Sequence, residues 1–267
     1  MNPTTPQFVG GIPDFYDRYL VPVIFEPYAA DLASRLSRLA RGDVLEIACG
    51  TGAVTRRLRE ALPRETRLTA TDLHQDMIDV ARGRVPDPDV NWRLADGTAL
   101  PFDDGSFDVV TCQFGVMFYP DKLAGMREAR RVLRSSGRFV FNVWDSHATN
   151  PFGRIAHDTI ATWLPAGLPP FYDKPFSWCD ESEIRSMTRD AGFRSTAIEP
   201  VRKSTSSPTA REFATGLVRG NPVILTIQEC GLSDTDIITG VESELVREGG
   251  DRPYRSTTQA LVVTAKV

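Results

Sequence analysis

A chain of 267 residues, 41% hydrophobic and 25% charged, has the length of one large domain carrying an elaborate cap, and its composition excludes general disorder. Lys and Arg number 31 against 35 Asp and Glu, a formal charge of −4 that argues against broad capture of nucleic acid or an anionic membrane. No stretch approaches the ~18 consecutive apolar residues of a membrane span, and the opening MNPTTPQFVGG lacks the pattern of a secretory signal, so a cytoplasmic protein is expected.

In chain order, the first predicted element is helical. In GIPDFYDRYLVPVIFEPYAADLASRL, Tyr16, Tyr19, Leu20 and Val23 share a face at helical spacing, with Asp17 and Arg18 on another. Seven short apolar runs follow: VLEIA (44–48), LTATD (68–72), VNWRLAD (90–96), FDVVTCQ (107–113), GRFVFNVW (137–144), STAIEPV (195–201) and QALVVTAKV (259–267). Several are nearly continuous in hydrophobicity, as strands covered on both faces are. Helical stretches at 53–62, 74–84 and 121–134 lie between the earlier runs. Strand alternating with helix predicts a doubly wound, seven-stranded, mostly parallel sheet of Rossmann-like α/β class.

Two segments break the alternation. Residues 147–178 hold an amphipathic stretch and then LPAGLPPFYDKPFSW; residues 205–255 read as helical around 208–219 and 233–248. Both are expected to be cap insertions in a single domain spanning 1–267. Half of the aromatic residues lie within 114–178 and a quarter within 1–28, which suggests an apolar pocket wall beyond the carboxyl ends of the strands, although extra core under long loops explains part of it. Cys49, Cys112, Cys179 and Cys230 are scattered without a CxxC pair, and His74, His147 and His157 form no HxxxH or HExxH pattern. Neither a disulfide framework nor a metal site is expected.

The most informative stretch is VLEIACGTGAVTRRL. A strand runs into a tight turn at Gly50 and Gly52, and a helix starts near Ala53, so free N–H groups face a ligand that the backbone approaches closely. Asp72, about 20 residues after Gly52, stands where a carboxylate accepts both hydroxyls of an adenosine ribose; the plainer alternative is an N-cap for the helix near His74. A dinucleotide fingerprint would put a third small residue at position 55, which is Thr55, and Glu46 close to the turn repels a pyrophosphate. The same carboxylate favours a ligand with an ammonium or sulfonium, as in S-adenosylmethionine.

These residues resemble a known family. LEIACGTG, TATDLHQDMIDVAR, LADGTALPFDDGSFDVVTCQFGVMFYPD and LRSSGRFVFNVWDS are similar, in order, to successive segments of class I S-adenosylmethionine-dependent methyltransferases, nearest the ubiquinone/menaquinone-type small-molecule branch. The resemblance covers residues 40–146. It implies that Glu46, Ala48, Cys49, Gly50 and Gly52 hold the methionine portion, Asp72 the ribose, and Leu73 and Met77 the adenine. It also implies adenine contacts at Asp96 and the backbone of Gly97 or Thr98, Gln113 near the sulfur, and an N-terminal lid (1–40) bearing Tyr16 and Tyr19. Gln113-Phe114 departs from the acidic or Asn-Pro-Pro-type sequence of some amino-directed methyltransferases.

The expected activity is methyl transfer from S-adenosylmethionine, leaving S-adenosylhomocysteine, to a small, largely apolar or aromatic molecule. Phe118, Tyr119, Trp144, Phe152, Phe171, Tyr172 and Trp178 are the candidate substrate wall. His147, just beyond the fifth strand, is the candidate base if the acceptor needs one, with a solvated loop histidine as the alternative reading. A non-catalytic adenosyl-nucleotide-binding protein is the second hypothesis, weakened because Glu46, the glycines and Asp72 are all present; a nicotinamide oxidoreductase is the third. No nucleic-acid partner is expected.

Overall fold

The structure, a computed structural model, describes residues 6–37, 42–166 and 171–267. The ends of the expected lid (1–5 and 38–40) and residues 167–170 of the first expected cap lie outside the described residues.

The seven apolar runs become seven strands: β1 (Asp43–Ile47), β2 (Arg67–Asp72), β3 (Val90–Leu94), β4 (Phe107–Gln113), β5 (Leu133–Trp144), β6 (Ser195–Ser207) and β7 (Tyr254–Lys266). They form one sheet in the order β3-β2-β1-β4-β5-β7-β6. The pairs from β3 to β5 are parallel, and β7 runs antiparallel to both β5 and β6. The sheet is thus the doubly wound, mostly parallel one that the alternating pattern predicts. β1 is buried along its whole length, as a central parallel strand covered on both faces must be. β6 and β7 exceed the apolar runs because they pair over all 13 residues of each, from Ser195↔Lys266 to Ser207↔Tyr254, with polar residues on the exposed face.

Helices α3 (Ala53–Ala61), α4 (Gln75–Arg84) and α5 (Lys122–Val132) follow the expected positions, and Asp121 caps α5 by accepting from the Ala124 N–H. Past β5 come α6 (Pro151–Ala161), α7 (Asp173–Phe176) and α8 (Glu181–Asp190), then α9 (Ala210–Arg219), α10 (Val223–Glu229) and α11 (Asp234–Gly249). Side-chain caps from Asp180, Thr209 and Ser233 fix the starts of α8, α9 and α11 by satisfying otherwise orphaned N–H groups. α6, α9 and α11 pack together, and α9 packs against the N-terminal helix.

That N-terminal helix differs from the amphipathic α-helix read from the sequence. α1 (Ile12–Phe15) leads into a π-helix, Tyr16–Phe25, and then α2 (Glu26–Ser37). The N–H of Glu26 reaches back five residues to the Val21 carbonyl, the wider winding of a π-helix. Spacing on one face therefore opens to four or five residues. Tyr16, Leu20, Ile24 and Phe25 share the inner face, and Tyr19 turns away from it. No helix among the described residues is long and apolar enough to cross a membrane.

Candidate active site

The strand order lays out a row of residues along the carboxyl edge of the sheet. From one side to the other it presents Asp96 beyond β3, Asp72 ending β2, Ala48 and Gly50 beyond β1, Gln113 and Phe114 at the end of β4, and Trp144 ending β5. A cavity of about 410 Å³ runs along this row, roofed by the π-helix and by residues of the two cap segments. A void of about 20 Å³ beside it is walled by Tyr16, Glu46, Cys49, Thr51 and Gln113 among others.

The turn after β1 is built by alternating backbone conformations. Ala48 (φ 54°), Gly50 (φ 54°) and Gly52 (φ 86°) all lie in the left-handed region, which Gly enters freely and Ala only under constraint. The Cys49 N–H donates to Thr71 O at 2.9 Å and the Gly52 N–H to Cys49 O at 2.9 Å, closing the turn against β2. A side chain at Gly52 would meet Ala81 and Val85 at 3.2 Å, so that glycine serves close packing on α4. At Gly50 a Cβ would meet nothing, because that backbone faces the cavity.

Two buried carboxylates stand beside the turn. Asp72, 7% exposed, accepts from the Gly50 N–H at 2.8 Å and the His74 N–H at 2.9 Å. Asp72 is not the N-cap of α4, which is His74 without a side-chain cap; it braces the chain just before that helix, and its other bond reaches the glycine turn. Glu46 is 1% exposed and accepts from the Thr55 hydroxyl at 2.6 Å. Burial pushes its carboxyl up to about 8, and burial likewise raises Asp72 despite the backbone bonds that favour its charge. Among the described residues neither carboxylate has a Lys or Arg ion pair. Tyr16 lies close by, and burial together with the Asp72 charge holds its phenol protonated.

Two more polar groups want partners. Gln113 donates through Nε2 to Phe25 O at 3.3 Å, while its Oε1 is buried with no hydrogen bond, and the Thr51 hydroxyl is in the same condition. A pair of buried, cation-free carboxylates beside unpaired Gln113 and Thr51 oxygens fits a ligand that brings positive charge and N–H donors to the methionine end of the row. Further along, Leu73, Met77, Asp96, Gly97 and Thr98 line the cavity, with Asp96 turned by its bonds to the Thr98 N–H and hydroxyl at 2.8 and 2.7 Å. The Phe8 ring also lines the cavity and lies 6.3 Å from both His74 and Phe118.

Over β4 and β5 the wall turns aromatic. Phe114 and Trp144 stack at 3.9 Å, and Phe152 and Phe176 flank Trp144 at 5.5 and 6.1 Å. Phe114 has φ 53°, an uncommon conformation for a bulky residue, held by the bonds from its N–H to Asn142 Oδ1 and O at 3.0 and 3.1 Å. Phe118 and Phe171 stack at 5.8 Å across the mouth.

Most of the residues chosen from the sequence meet here: Tyr16, Ala48, Gly50, Asp72, Leu73, Met77, Asp96, Gly97, Thr98, Gln113, Phe118, Tyr119, Trp144, Phe152, Phe171 and Tyr172 line the main cavity, and Glu46 and Cys49 the smaller void. Tyr119 sits toward the adenine side, its hydroxyl where a side chain on Gly97 would be. Others lie apart. Tyr19 stacks on Phe15 at 6.1 Å, because the π-helix rotates it off the inner face. Trp178 packs behind the sheet edge on Phe141, at 6.4 Å. His147 is not among the lining residues; its Nε2 lies 3.2 Å from Tyr172 O, its ring 4.6 Å from Phe176, and burial lowers its pKa. Leu20 lines the cavity beside Tyr16, and Phe8, Phe25, Phe114, Phe176, Leu217 and Asn221, which carry no local signal in the sequence, are brought in by tertiary packing from separate segments.

Residues 45–141, which carry the row except for Trp144, match the methyltransferase-domain family. A demethylmenaquinone methyltransferase of Listeria welshimeri is 30% identical over 186 residues, 60% of this chain and 73% of that protein. The chain belongs to the class I S-adenosylmethionine-dependent methyltransferases. Another demethylmenaquinone methyltransferase, from Lactococcus lactis, is 27% identical over 230 residues, 78% of this chain and 88% of the relative. The fold of this methyltransferase is shared by the YcgJ protein of Bacillus subtilis, at TM-score 0.59 and 16% identity over 90% of this chain and 98% of that one. It is also shared by phosphoethanolamine N-methyltransferase 2 of Haemonchus contortus, solved with S-adenosylhomocysteine, at TM-score 0.53 and 16% identity over 97% of this chain and 60% of that one. The cofactor of the enzyme is S-adenosylmethionine, and the donor set at the glycine turn fits it.

Proposed function

We propose that this methyltransferase acts on a small, largely apolar or aromatic acceptor seated over β4 and β5. The observation that carries this reading is the aromatic wall of Phe114, Trp144, Phe152 and Phe176, continuous with the cofactor end of one cavity. Burying such surface contributes about 25 cal/mol per Å², enough for a handful of rings to hold a small molecule without an ion pair. The relatives named demethylmenaquinone methyltransferases support an acceptor of this kind.

When bound, S-adenosylmethionine supplies a methyl group activated on a positively charged sulfur. In our reading Glu46 and Asp72 favour the cationic and ribose portions, Gly50 lets the backbone approach, and Gln113 Oε1 accepts from the methionine amino group. Leu73 and Met77 pack on the base beside Asp96. The Phe114–Trp144 stack holds the acceptor in line with the sulfur, and the π-helix with Phe118 and Phe171 keeps water out. Orientation and exclusion of water supply as much as about 7–11 kcal/mol in well-oriented systems. Among the described residues that line the cavity over β4 and β5, none is a carboxylate or an imidazole, and in our reading the acceptor atom brings its own nucleophilicity, as an ionised oxygen, sulfur or carbon or as a neutral amine. His147 has at most a supporting part, behind Phe176. Four free cysteines are in keeping with a cytoplasmic enzyme.

Protein saturated with S-adenosylhomocysteine, incubated with a cell extract and re-isolated by gel filtration, should retain a compound that partitions into organic solvent. Retention of only an oligonucleotide or a peptide would overturn the reading.

A further inference from the structure

At the aromatic end of the cavity, Asn221 is a polar side chain whose bonds do not account for it. Asn221 lies between α9 and α10, is 7% exposed, and lines the cavity beside Leu217 and Tyr172. Its Nδ2 donates to Leu217 O at 3.2 Å and to the Tyr172 hydroxyl at 3.0 Å, while that hydroxyl donates to Leu217 O at 2.7 Å. A carbonyl oxygen only accepts, so the atom facing Leu217 must be the nitrogen, and this fixes which way round the amide sits. Among the described residues no donor reaches Oδ1, and it is not one of the fully enclosed polar atoms left without a partner. Because the side chain lines the cavity and both Nδ2 hydrogens are spent, Oδ1 is the polar atom it has left to offer a ligand there.

The surrounding packing explains how a loop residue reaches so far inward. A Cβ on Gly216 would lie 2.7 Å from Tyr19 Cβ, and one on Gly220 would lie 2.9 Å from the Tyr16 backbone nitrogen. These two glycines let α9 press against the π-helix, which delivers Asn221 to the cavity wall. The Tyr172 hydroxyl, spent on Leu217 and Asn221, then has no hydrogen left for a ligand.

We infer that Asn221 is a specificity-determining residue for the acceptor, its Oδ1 accepting a hydrogen bond from a hydroxyl or N–H carried by an otherwise apolar molecule. This rests on the reading of the aromatic end as the acceptor site. An acceptor-only oxygen in an apolar wall discriminates strongly: a molecule that brings a donor satisfies it, and one that brings an ether or carbonyl oxygen sets two acceptors against each other. The selection acts on binding of the acceptor, not on the methyl donor, because the contacts of Asn221 are with Tyr172 and Leu217 and not with the glycine turn or its carboxylates.

The test is equilibrium dialysis of the full chain, saturated with S-adenosylhomocysteine, against 1-naphthol and 1-methoxynaphthalene, which differ in one donor. The wild type should bind the naphthol about tenfold more tightly or better. In Asn221→Leu the two probes should bind within about twofold of each other, whereas Tyr172→Phe, which keeps Oδ1, should retain the preference. Equal binding by the wild type, or a preference that survives Asn221→Leu, overturns the inference and leaves the apolar acceptor site standing. Failure of both probes to bind overturns the reading beneath it. The wild-type comparison needs no variant to fold.

Discussion

The carboxylate of Asp72 accepts the backbone N–H of Gly50 at 2.8 Å, tying the end of β2 to the glycine turn after β1. One side chain thereby sets both the shape of the turn and a negative charge beside it. In the proposed reading, Asp72→Ala removes the acceptor for two ribose hydroxyls, and it also removes the bond that braces the turn. The affinity for S-adenosylhomocysteine should fall by about tenfold or more, since hydrogen bonds to charged groups contribute about 1.5–3 kcal/mol each. Isothermal titration measures this, and an unchanged dissociation constant would return Asp72 to a purely structural role at the start of α4.

Glu46 makes cofactor binding depend on pH. Its carboxyl is pushed up to about 8 by burial, so below that pH the ligand-free protein holds it protonated. A ligand that carries positive charge favours the ionised form, and binding then releases a proton. Affinity should therefore rise as pH increases toward 8, by at most about tenfold per unit, and level off above it. Glu46→Gln should flatten that rise relative to the wild type, which separates it from titration of the ligand's own amino group. The stability of the ligand-free protein has the opposite trend. With a folded-state pKa above the unfolded value near 4.5, Glu46 contributes stability that is lost as pH climbs toward 8. Thermal melts of wild type and Glu46→Gln across that window should converge at low pH and diverge at high pH.

Two aromatic substitutions should behave differently. Phe171 is half-buried and stacks on Phe118 at the mouth, whereas Trp178 is 3% exposed and packs on Phe141. Phe171→Ala should raise the acceptor KM with little change in S-adenosylhomocysteine affinity. Trp178→Ala should cost about 3–5 kcal/mol of stability, as large-to-small changes in a core do, and lower the melting temperature. A melting temperature unmoved by Trp178→Ala would place that ring outside the core.

Gly97 and Tyr119 should couple. A Cβ on Gly97 would sit 2.2 Å from the Tyr119 hydroxyl and 2.6 Å from its Cζ. Gly97→Ala should destabilise the wild type by about 1–3 kcal/mol and do so less in a Tyr119→Leu background. Additive effects in a double-mutant cycle would show that the strain is relieved elsewhere.

Much of the architecture was legible in the sequence because central parallel strands must be apolar on both faces. FDVVTCQ marks β4 residue for residue, and VLEIA and LTATD fall within one position of β1 and β2. β5 starts four residues earlier than GRFVFNVW because Leu133 already pairs with Phe107. The glycine turn and the carboxylates were legible too, since their spacing follows from a strand–turn–helix unit. The π-helix was not: its wider winding depends on the packing of α9 and the sheet against it, and a 3.6-residue pattern put Tyr19 on the wrong face. α8 went unread although Asp180 and Glu183 carry a capping pattern before it. Asn221 and Phe176 gave no local signal at all, because only the folding back of the cap brings Phe176 beside Trp144 and Asn221 beside Tyr172.

The central claim is methyl transfer to a small apolar molecule. It is tested most directly by offering the enzyme methyl-labelled S-adenosylmethionine with a small-molecule extract, transfer RNA and a protein extract in parallel. Label should pass into an organic-extractable compound in the first reaction, and more slowly with Asp72→Ala at subsaturating S-adenosylmethionine. Label appearing only in the RNA or protein fraction would contradict the account.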